Sequence, residues 1–246
     1  MDSLVRGWAF VRSVVVYLNP WVMSSWRRFY GELLAPGDVA IDVGAHVGTR
    51  ARAMRAVGAT VIALEPQRPF STFLRRTLPK NIVVIEAAAG RSESTAYMAV
   101  SSRHPTVSSL HDDFVSSAPA AAGFERVRWD GRQEVSVTTL DAVIAHHGTP
   151  RYIKIDVEGF EAEVLAGVSG TVELISVEFL PVMSHLSLAV IDRLIEMGDY
   201  RFNPVVGETG RFLWGEWRDS AATKKWLEDL PASSKSGDLF ARLTAA

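Results

Sequence analysis

No cysteine occurs among the 246 residues, which excludes disulfide frameworks, thiol nucleophiles, cysteine-bound zinc and iron–sulfur clusters. The lack fits a reducing, cytoplasmic setting. A surplus of positive charge is missing too. Lysine and arginine number 26 against 28 acids, a net charge of -2, so no nucleic-acid partner is expected. Long apolar runs are absent. The longest near the start, Val14 to Leu18, stops at Asn19 and Pro20, well short of the roughly 20 residues that cross a bilayer. His46 aside, the histidines His104, His111, His146, His147 and His185 form no H-x-x-x-H pair, so a zinc site is not expected.

What is present is enough apolar material, 48% of the chain, to fill a core. The opening Met1-Asp2, and Trp21, Trp26, Arg27 and Arg28 after the apolar stretch, read as a retained helical extension over 1–35 rather than a cleaved signal. Such a helix covers a core or a dimer partner more often than a membrane interface, which allows a homo-oligomer through these helices. The turn cluster Ala35-Pro36-Gly37-Asp38 opens the main domain, expected over 36–246. Strands are predicted at Val39–Val43, Thr60–Leu64 and Ile82–Ala87, with helices at Thr49–Val57 and Pro69–Leu78 between them. This alternation belongs to an α/β fold with a parallel sheet. Regularity fails from Gly90 to Gln133, apart from a strand near Thr95 to Val100. The segment 92–132 is therefore expected to be a lid or substrate insert. Alternation resumes with strands at Glu134–Thr138, Tyr152–Ile155 and Val172–Phe179, and helices at Leu140–His146, Phe160–Ala166 and Leu188–Met197. Further strands are expected near Tyr200–Val206 and Asp238–Leu243.

The chemistry begins at Asp42-Val43-Gly44-Ala45-His46-Val47-Gly48. A glycine turn between a buried strand and a helix lets a ligand approach the backbone. Glu65, at the end of the next strand and followed by Pro66, can accept bonds from both hydroxyls of a ribose. The two strand ends together describe a nucleoside site. A pyrophosphate is disfavoured, because His46 stands where the dinucleotide fingerprint has its second glycine. Asp42 can instead meet an ammonium group. S-adenosylmethionine fits these features, having ribose, adenine and an amino acid but no phosphate.

In these blocks, together with Ala63-Leu64-Glu65-Pro66, Ala88-Ala89-Gly90, Thr139-Leu140-Asp141 and Lys154-Ile155-Asp156-Val157-Glu158-Gly159-Phe160-Glu161, the chain resembles the FkbM family of S-adenosylmethionine-dependent methyltransferases. The family commonly has Asn at the position of His46. The resemblance implies a class I methyltransferase fold: a Rossmann-like, seven-stranded, mostly parallel sheet, helices on both faces and the last strand antiparallel. It implies donor binding by Asp42, Gly44 and Glu65, with His46, Gly48 and Pro66 beside them. The loop with Glu86, Ala88 and Ala89 is expected at the adenine, and Asp156 at the donor's edge. It also implies a small hydroxylated acceptor, a sugar or a glycosylated or polyketide-type molecule, methylated on oxygen. N-methylation or a macromolecular acceptor is the alternative within the fold. A nucleoside-binding regulatory module or an NAD-dependent dehydrogenase is the alternative outside it.

Asp156 and Glu158, spaced i, i+2 in an extended segment, point to one side. One can serve as general base and the other can fix the acceptor. A carboxylate of ordinary pKa near 4 is a poor base for an alcohol unless burial or a like charge raises it. Lys154 would balance the charge, and His185, expected in a loop, is the alternative base. The competing expectation is that Lys154, Asp156 and Glu158 are an ion network capping the helix near Phe160. Asp156, Glu158 and Glu178 offer hard oxygens to a divalent ion such as magnesium, which the sequence does not require. Arg50, Arg52 and Arg55 read as a solvated helix face, and Trp214, Trp217 and Trp226 as packing.

Overall fold

The computed structural model describes residues 2–120 and 124–244. Two helices, α1 (Asp2–Tyr17) and α2 (Pro20–Leu33), precede the first strand. Asn19 caps α2, its side chain accepting from the amide of Trp21, and Pro20 fits the first helical turn, where no amide partner is needed. The chain then alternates through β1 (Val39–Val43), α3 (Thr49–Ala56), β2 (Thr60–Leu64), α4 (Arg68–Thr77) and β3 (Ile82–Ile85). After β4 (Ala88–Ala89), β5 (Ser94–Val100), α5 (Asp112–Ser117) and β6 (Gly131–Thr138) come α6 (Leu140–His147), β7 (Tyr152–Ile155), α7 (Glu161–Leu165) and β8 (Leu174–Phe179). The chain closes with α8 (Ser184–Met197), β9 (Tyr200–Val206), α9 (Ser220–Asp229) and β10 (Gly237–Leu243).

The main sheet has seven strands in the order β3-β2-β1-β7-β8-β10-β9. Neighbours from β3 to β8 are parallel, and β10 runs antiparallel to both β8 and β9. This is the α/β class I methyltransferase arrangement. Its strands are apolar runs because both faces are covered. Ile41, Ile62, Ile153 and Ile175 pack on one face with Leu140, Val164 and Ile191 of the following helices. Ala40, Val61, Tyr152 and Phe240 pack on the other with Trp26, Phe29 and Tyr30 of α2 and Met54 of α3. The N-terminal extension thus supplies part of the sheet's cover.

Three expectations change. The third strand ends at Ile85, and Ala88–Ala89 leaves it to join a separate three-stranded sheet ordered β4-β6-β5. The strand expected from Glu134 begins at Gly131 and belongs to that small sheet, paired antiparallel with β5. Among its described residues the insert therefore holds regular structure. Its regular period was hidden because β5 and β6 bury little: Met98, Val135 and Val137 with Ala88 make its small core. Lastly, α8 begins at Ser184, so His185 stands in a first helical turn and not in a loop.

Candidate active site

A cavity of about 220 Å³ lies at the carboxyl ends of β1, β2, β7 and β8. The direction in which strands are added reverses between β1 and β7, and open parallel sheets bind ligands at such a reversal. Along one wall runs the turn after β1. The amides of Gly44 and Ala45 both donate to the carbonyl of Leu64 at 3.0 Å. Gly44 has φ +78°, and a Cβ there would lie 1.9 Å from the carbonyl oxygen of Asp156. Only glycine permits that approach of the β7 loop to the β1 loop.

His46, next along, also has positive φ, as does Glu158 across the cavity. Left-handed backbone in residues with a Cβ costs of order 1 kcal/mol or more and concentrates at functional sites. The His46 ring stands between Tyr17 and Phe70, with centroids at 5.2 and 4.3 Å. Burial pushes its pKa down to about 4, so the ring is neutral at physiological pH. The His46 amide donates to Glu65 Oε2 and the Gln67 amide to Oε1, both at 2.8 Å. Burial pushes the Glu65 carboxyl up to about 7 despite those two bonds. A carboxylate has about four acceptor positions, so two remain for a ligand.

The acids form the opposite wall. The register of β1 on β7 puts Asp42 beside Lys154, and both are buried, at 1% and 2% exposure. Lys154 Nζ lies 2.8 Å from Asp156 Oδ2 and 3.9 Å from Asp42 Oδ1. Burial pushes Asp156 up, but Lys154 outweighs it and holds the carboxyl below its ordinary value. Burial and the negative charge of Asp156 push Glu158 well above the ordinary range, and burial with the charge of Glu158 does the same to Glu178. Oxygens of Asp156, Glu158 and Glu178 lie within 4.8 Å of one another. Glu178 Oε2 is buried without a hydrogen-bond partner. The capping task falls elsewhere: Glu161 Oε1 accepts from the amides of Val157 at 3.1 Å and Gly159 at 3.2 Å, just ahead of α7.

Several expected residues do not line the cavity. Asp42 sits one layer behind it, neither oxygen hydrogen-bonded. Lys154 is likewise behind, and Gly48 faces Leu74 and Leu78. Glu86 turns toward α4, bonding Ser71 at 3.0 Å and Arg75 at 2.5 Å, while Ala87, Ala88 and Ala89 line the cavity. His185 is exposed on α8 and apart from the cavity. Arg50 is no solvated residue. It is buried, 2.8 Å from Asp238, with its guanidinium carbon 3.0 Å from the centre of the Trp26 ring. Trp226 packs on Phe179 and Trp214, and Trp217 on Phe212, as expected of a hydrophobic cluster.

Other lining residues come from segments that carry no motif. Tyr17 comes from the end of α1, and burial with the nearby charge of Asp156 pushes its hydroxyl up to about 12. Met98, Thr106, Ser108 and Leu110 come from the insert, and Glu208 and Ser236 from loops flanking β9 and β10. The insert is tied down. Ser109 donates to the carbonyl of Glu158 at 2.7 Å, and Gln67 Nε2 donates to that of Pro105 at 3.0 Å. Serine in an irregular stretch gave no usable signal for these bonds.

Comparison with known proteins shows the family. The model of the methyltransferase FkbM domain matches residues 42–213. The hexuronic acid methyltransferase AglP of Haloferax volcanii is 30% identical over 151 residues, which cover 60% of this chain and 56% of that relative. The match thus spans little more than half the relative's length. Among solved structures, a precorrin-6y C5,15-methyltransferase from Geobacter metallireducens superposes with a TM-score of 0.46 at 15% identity, covering 89% of this chain and 86% of its own. A ribosomal protein L11 methylase from Lactobacillus delbrueckii subsp. bulgaricus gives 0.45 at 10% identity, covering 92% and 81%.

Proposed function

The chain belongs to the FkbM methyltransferase family, and from that premise we propose that it transfers the methyl group of S-adenosylmethionine to a hydroxyl oxygen of a sugar or a glycosylated or polyketide-type small molecule. The observation that carries this is the facing of Glu65 and the Asp156–Glu158–Glu178 group across one cavity. Glu65 has two acceptor positions free for the ribose hydroxyls. Gly44 and Pro66 flank it, and Ala88 and Ala89 give an apolar edge for adenine. Asp156 is the ionised acid at the amino-acid end. Asp42 and Lys154 hold it there from behind, so Asp42 acts on the donor through them rather than by contact.

The bound donor supplies an electrophilic methyl carbon on a sulfonium. Glu158 and Glu178 stand where the acceptor hydroxyl would enter. With its pKa raised, Glu158 is a stronger base than an ordinary carboxylate and takes the hydroxyl proton as the oxygen–methyl bond forms and the carbon–sulfur bond breaks. The products are a methyl ether, S-adenosylhomocysteine and a carboxylic acid at Glu158, which returns its proton to water. Tyr17 and Glu178 orient the hydroxyl, and orientation is the larger share of the catalysis. The sugar acid in the name of the Haloferax relative supports a carbohydrate acceptor.

A metal-assisted version rests on the same acids. The spacing of their oxygens and the unpartnered Glu178 Oε2 would suit a hard divalent cation, which lowers the pKa of a bound hydroxyl. Thermal denaturation tests the donor assignment. S-adenosylhomocysteine should raise Tm because it binds the native state alone, and NAD should leave it unchanged. A shift with NAD and none with S-adenosylhomocysteine would overturn the methyltransferase assignment.

A further inference from the structure

Helix α1 is amphipathic the wrong way round for a helix that merely covers a core. From Gly7 onward its inward face is Ala9, Phe10, Ser13 and Tyr17, with Val14 half-buried; most are small or polar, and Phe10 rests on Phe70 and Phe73. Its outward face carries the larger apolar groups: Trp8 at 73% exposure, Val15 at 69%, with Val11 and Val16 more than half exposed. The next helix opens with Trp21 at 84%. Soluble surfaces do not usually expose large apolar residues at such spacing, i, i+3 and i+7 for Trp8, Val11 and Val15.

Charge selects the occupant. From Ser3 to Gly31 the chain has four arginines, Arg6, Arg12, Arg27 and Arg28, and no acidic residue, in a protein whose net charge is -2. Arg12, Arg27 and Arg28 are exposed. A shallow cavity is lined by Trp8, Ala9, Arg12, Arg103 and His104, so two cations from distant parts of the chain meet at the exposed tryptophan. A second copy of the chain would set these like charges against each other across a two-fold interface. Exposed tryptophan and valine among arginines match the boundary of an anionic bilayer, where indole rings sit at headgroup depth and guanidinium groups meet phosphate.

We propose that α1 and the start of α2 dock this protein peripherally on an anionic lipid surface. Among the described residues no helix is long and apolar enough to cross a membrane, so the contact is one of lying on the surface. It has a catalytic corollary. Because α1 ends at Tyr17, a wall of the active-site cavity, docking holds that wall close to the lipid.

Vesicle flotation of the full chain tests this. The protein should float with phosphatidylcholine vesicles containing phosphatidylglycerol and not with phosphatidylcholine alone. Added salt should weaken the binding, as expected of interfacial charges. Tryptophan emission should shift to the blue. Trp8→Ala with Trp21→Ala, and separately Arg12→Glu with Arg103→Glu, should each lower partitioning at least roughly tenfold. Tm and S-adenosylhomocysteine binding should remain as in the parent, which separates loss of docking from loss of fold or donor site. Absence of flotation with anionic vesicles would overturn the proposal. So would a dimer in sedimentation that the tryptophan substitutions dissociate, because the exposed face would then belong to a second copy.

Discussion

The two sides of the cavity are built differently. The side we propose for the donor consists of strand ends and the turns directly after them: Gly44 and His46 after β1, Glu65 after β2 and Asp156 after β7. Each is placed by a few residues of local chain and by strand register. The side proposed for the acceptor is assembled from α1, the insert and the loops around β9 and β10, through Tyr17, Thr106, Ser108, Glu208 and Ser236. These meet only through contacts distant in sequence. Local geometry can hold a donor common to a family, while long-range assembly is free to vary with the acceptor. Glu158 stands at the junction, in a strand-end loop but bonded to the insert through Ser109.

Substitution at that junction should have the largest effect. Glu158→Gln keeps the volume and removes the proposed proton acceptor. Turnover should fall by roughly 10²–10⁴ while the affinity for S-adenosylhomocysteine, measured by titration, stays near that of the parent. Below its raised pKa Glu158 carries a proton and cannot act as base. The parent's turnover should therefore rise with pH beyond the ordinary carboxylate range, and this rise should vanish in the variant. If chelation abolishes the parent's activity and Glu178→Gln matches Glu158→Gln in its loss, the acids hold a cation and the base assignment fails.

The same contrast sets what was legible in the sequence. Most strands and the order of the α/β units could be read because each buried strand is an apolar run, and the continuous motifs bring Gly44, Glu65 and Asp156 to one cavity. The position of Asp42 behind the cavity was hidden, since the sequence did not say that β1 lies directly beside β7. Given that neighbour, alternation carries the information: Asp42, Lys154, Asp156, Ser176, Glu178 and Asp238 are the polar ends of strands on one sheet face. Arg50 was misread for the same reason. Small residues around it, Ala51 and Ala53, suggested an exposed face, whereas they let α3 lie close to α2 and bring Arg50 onto Trp26 and Asp238. Tyr17 had no local signal at all. Its place depends on how α1 lies across His46.

A smaller effect is expected on the donor side. Glu65→Gln replaces an acceptor of four bonds by one that can take two, and should weaken S-adenosylhomocysteine by about 1.5–3 kcal/mol, about ten- to a hundredfold. It should also change how stability depends on pH. In the native protein Glu65 keeps its proton up to about 7, whereas the unfolded chain releases it near 4.5. Its contribution to stability is therefore complete below the lower value and is lost as pH rises through the higher one. Tm of the parent should fall between about pH 5 and 8, and the variant should fall less. Glu161, raised by burial to about 7 as well, keeps some slope in both. An unchanged slope together with unchanged donor affinity would place the ribose elsewhere.

The smallest effect, and the one that separates the two sides most cleanly, is expected at Ser109. Its hydroxyl donates to the Glu158 carbonyl at 2.7 Å and accepts from the His111 amide at 2.9 Å. It thus joins the insert to the loop that carries the proposed base. Ser109→Ala removes both bonds, each worth about 1 kcal/mol net, without touching Glu65, Gly44 or Lys154. The positive φ of Glu158 is held partly by this tie, so its loss should let the carboxylate wander from the acceptor's position. With any acceptor that the parent turns over, kcat/KM should drop roughly fivefold, the ~1 kcal/mol of the bond to Glu158, and donor affinity should hold. Equal losses in donor affinity and kcat/KM would mean that the insert also organises the donor. The cavity would then be one cooperative unit, and its division into a locally built side and an assembled side would be wrong.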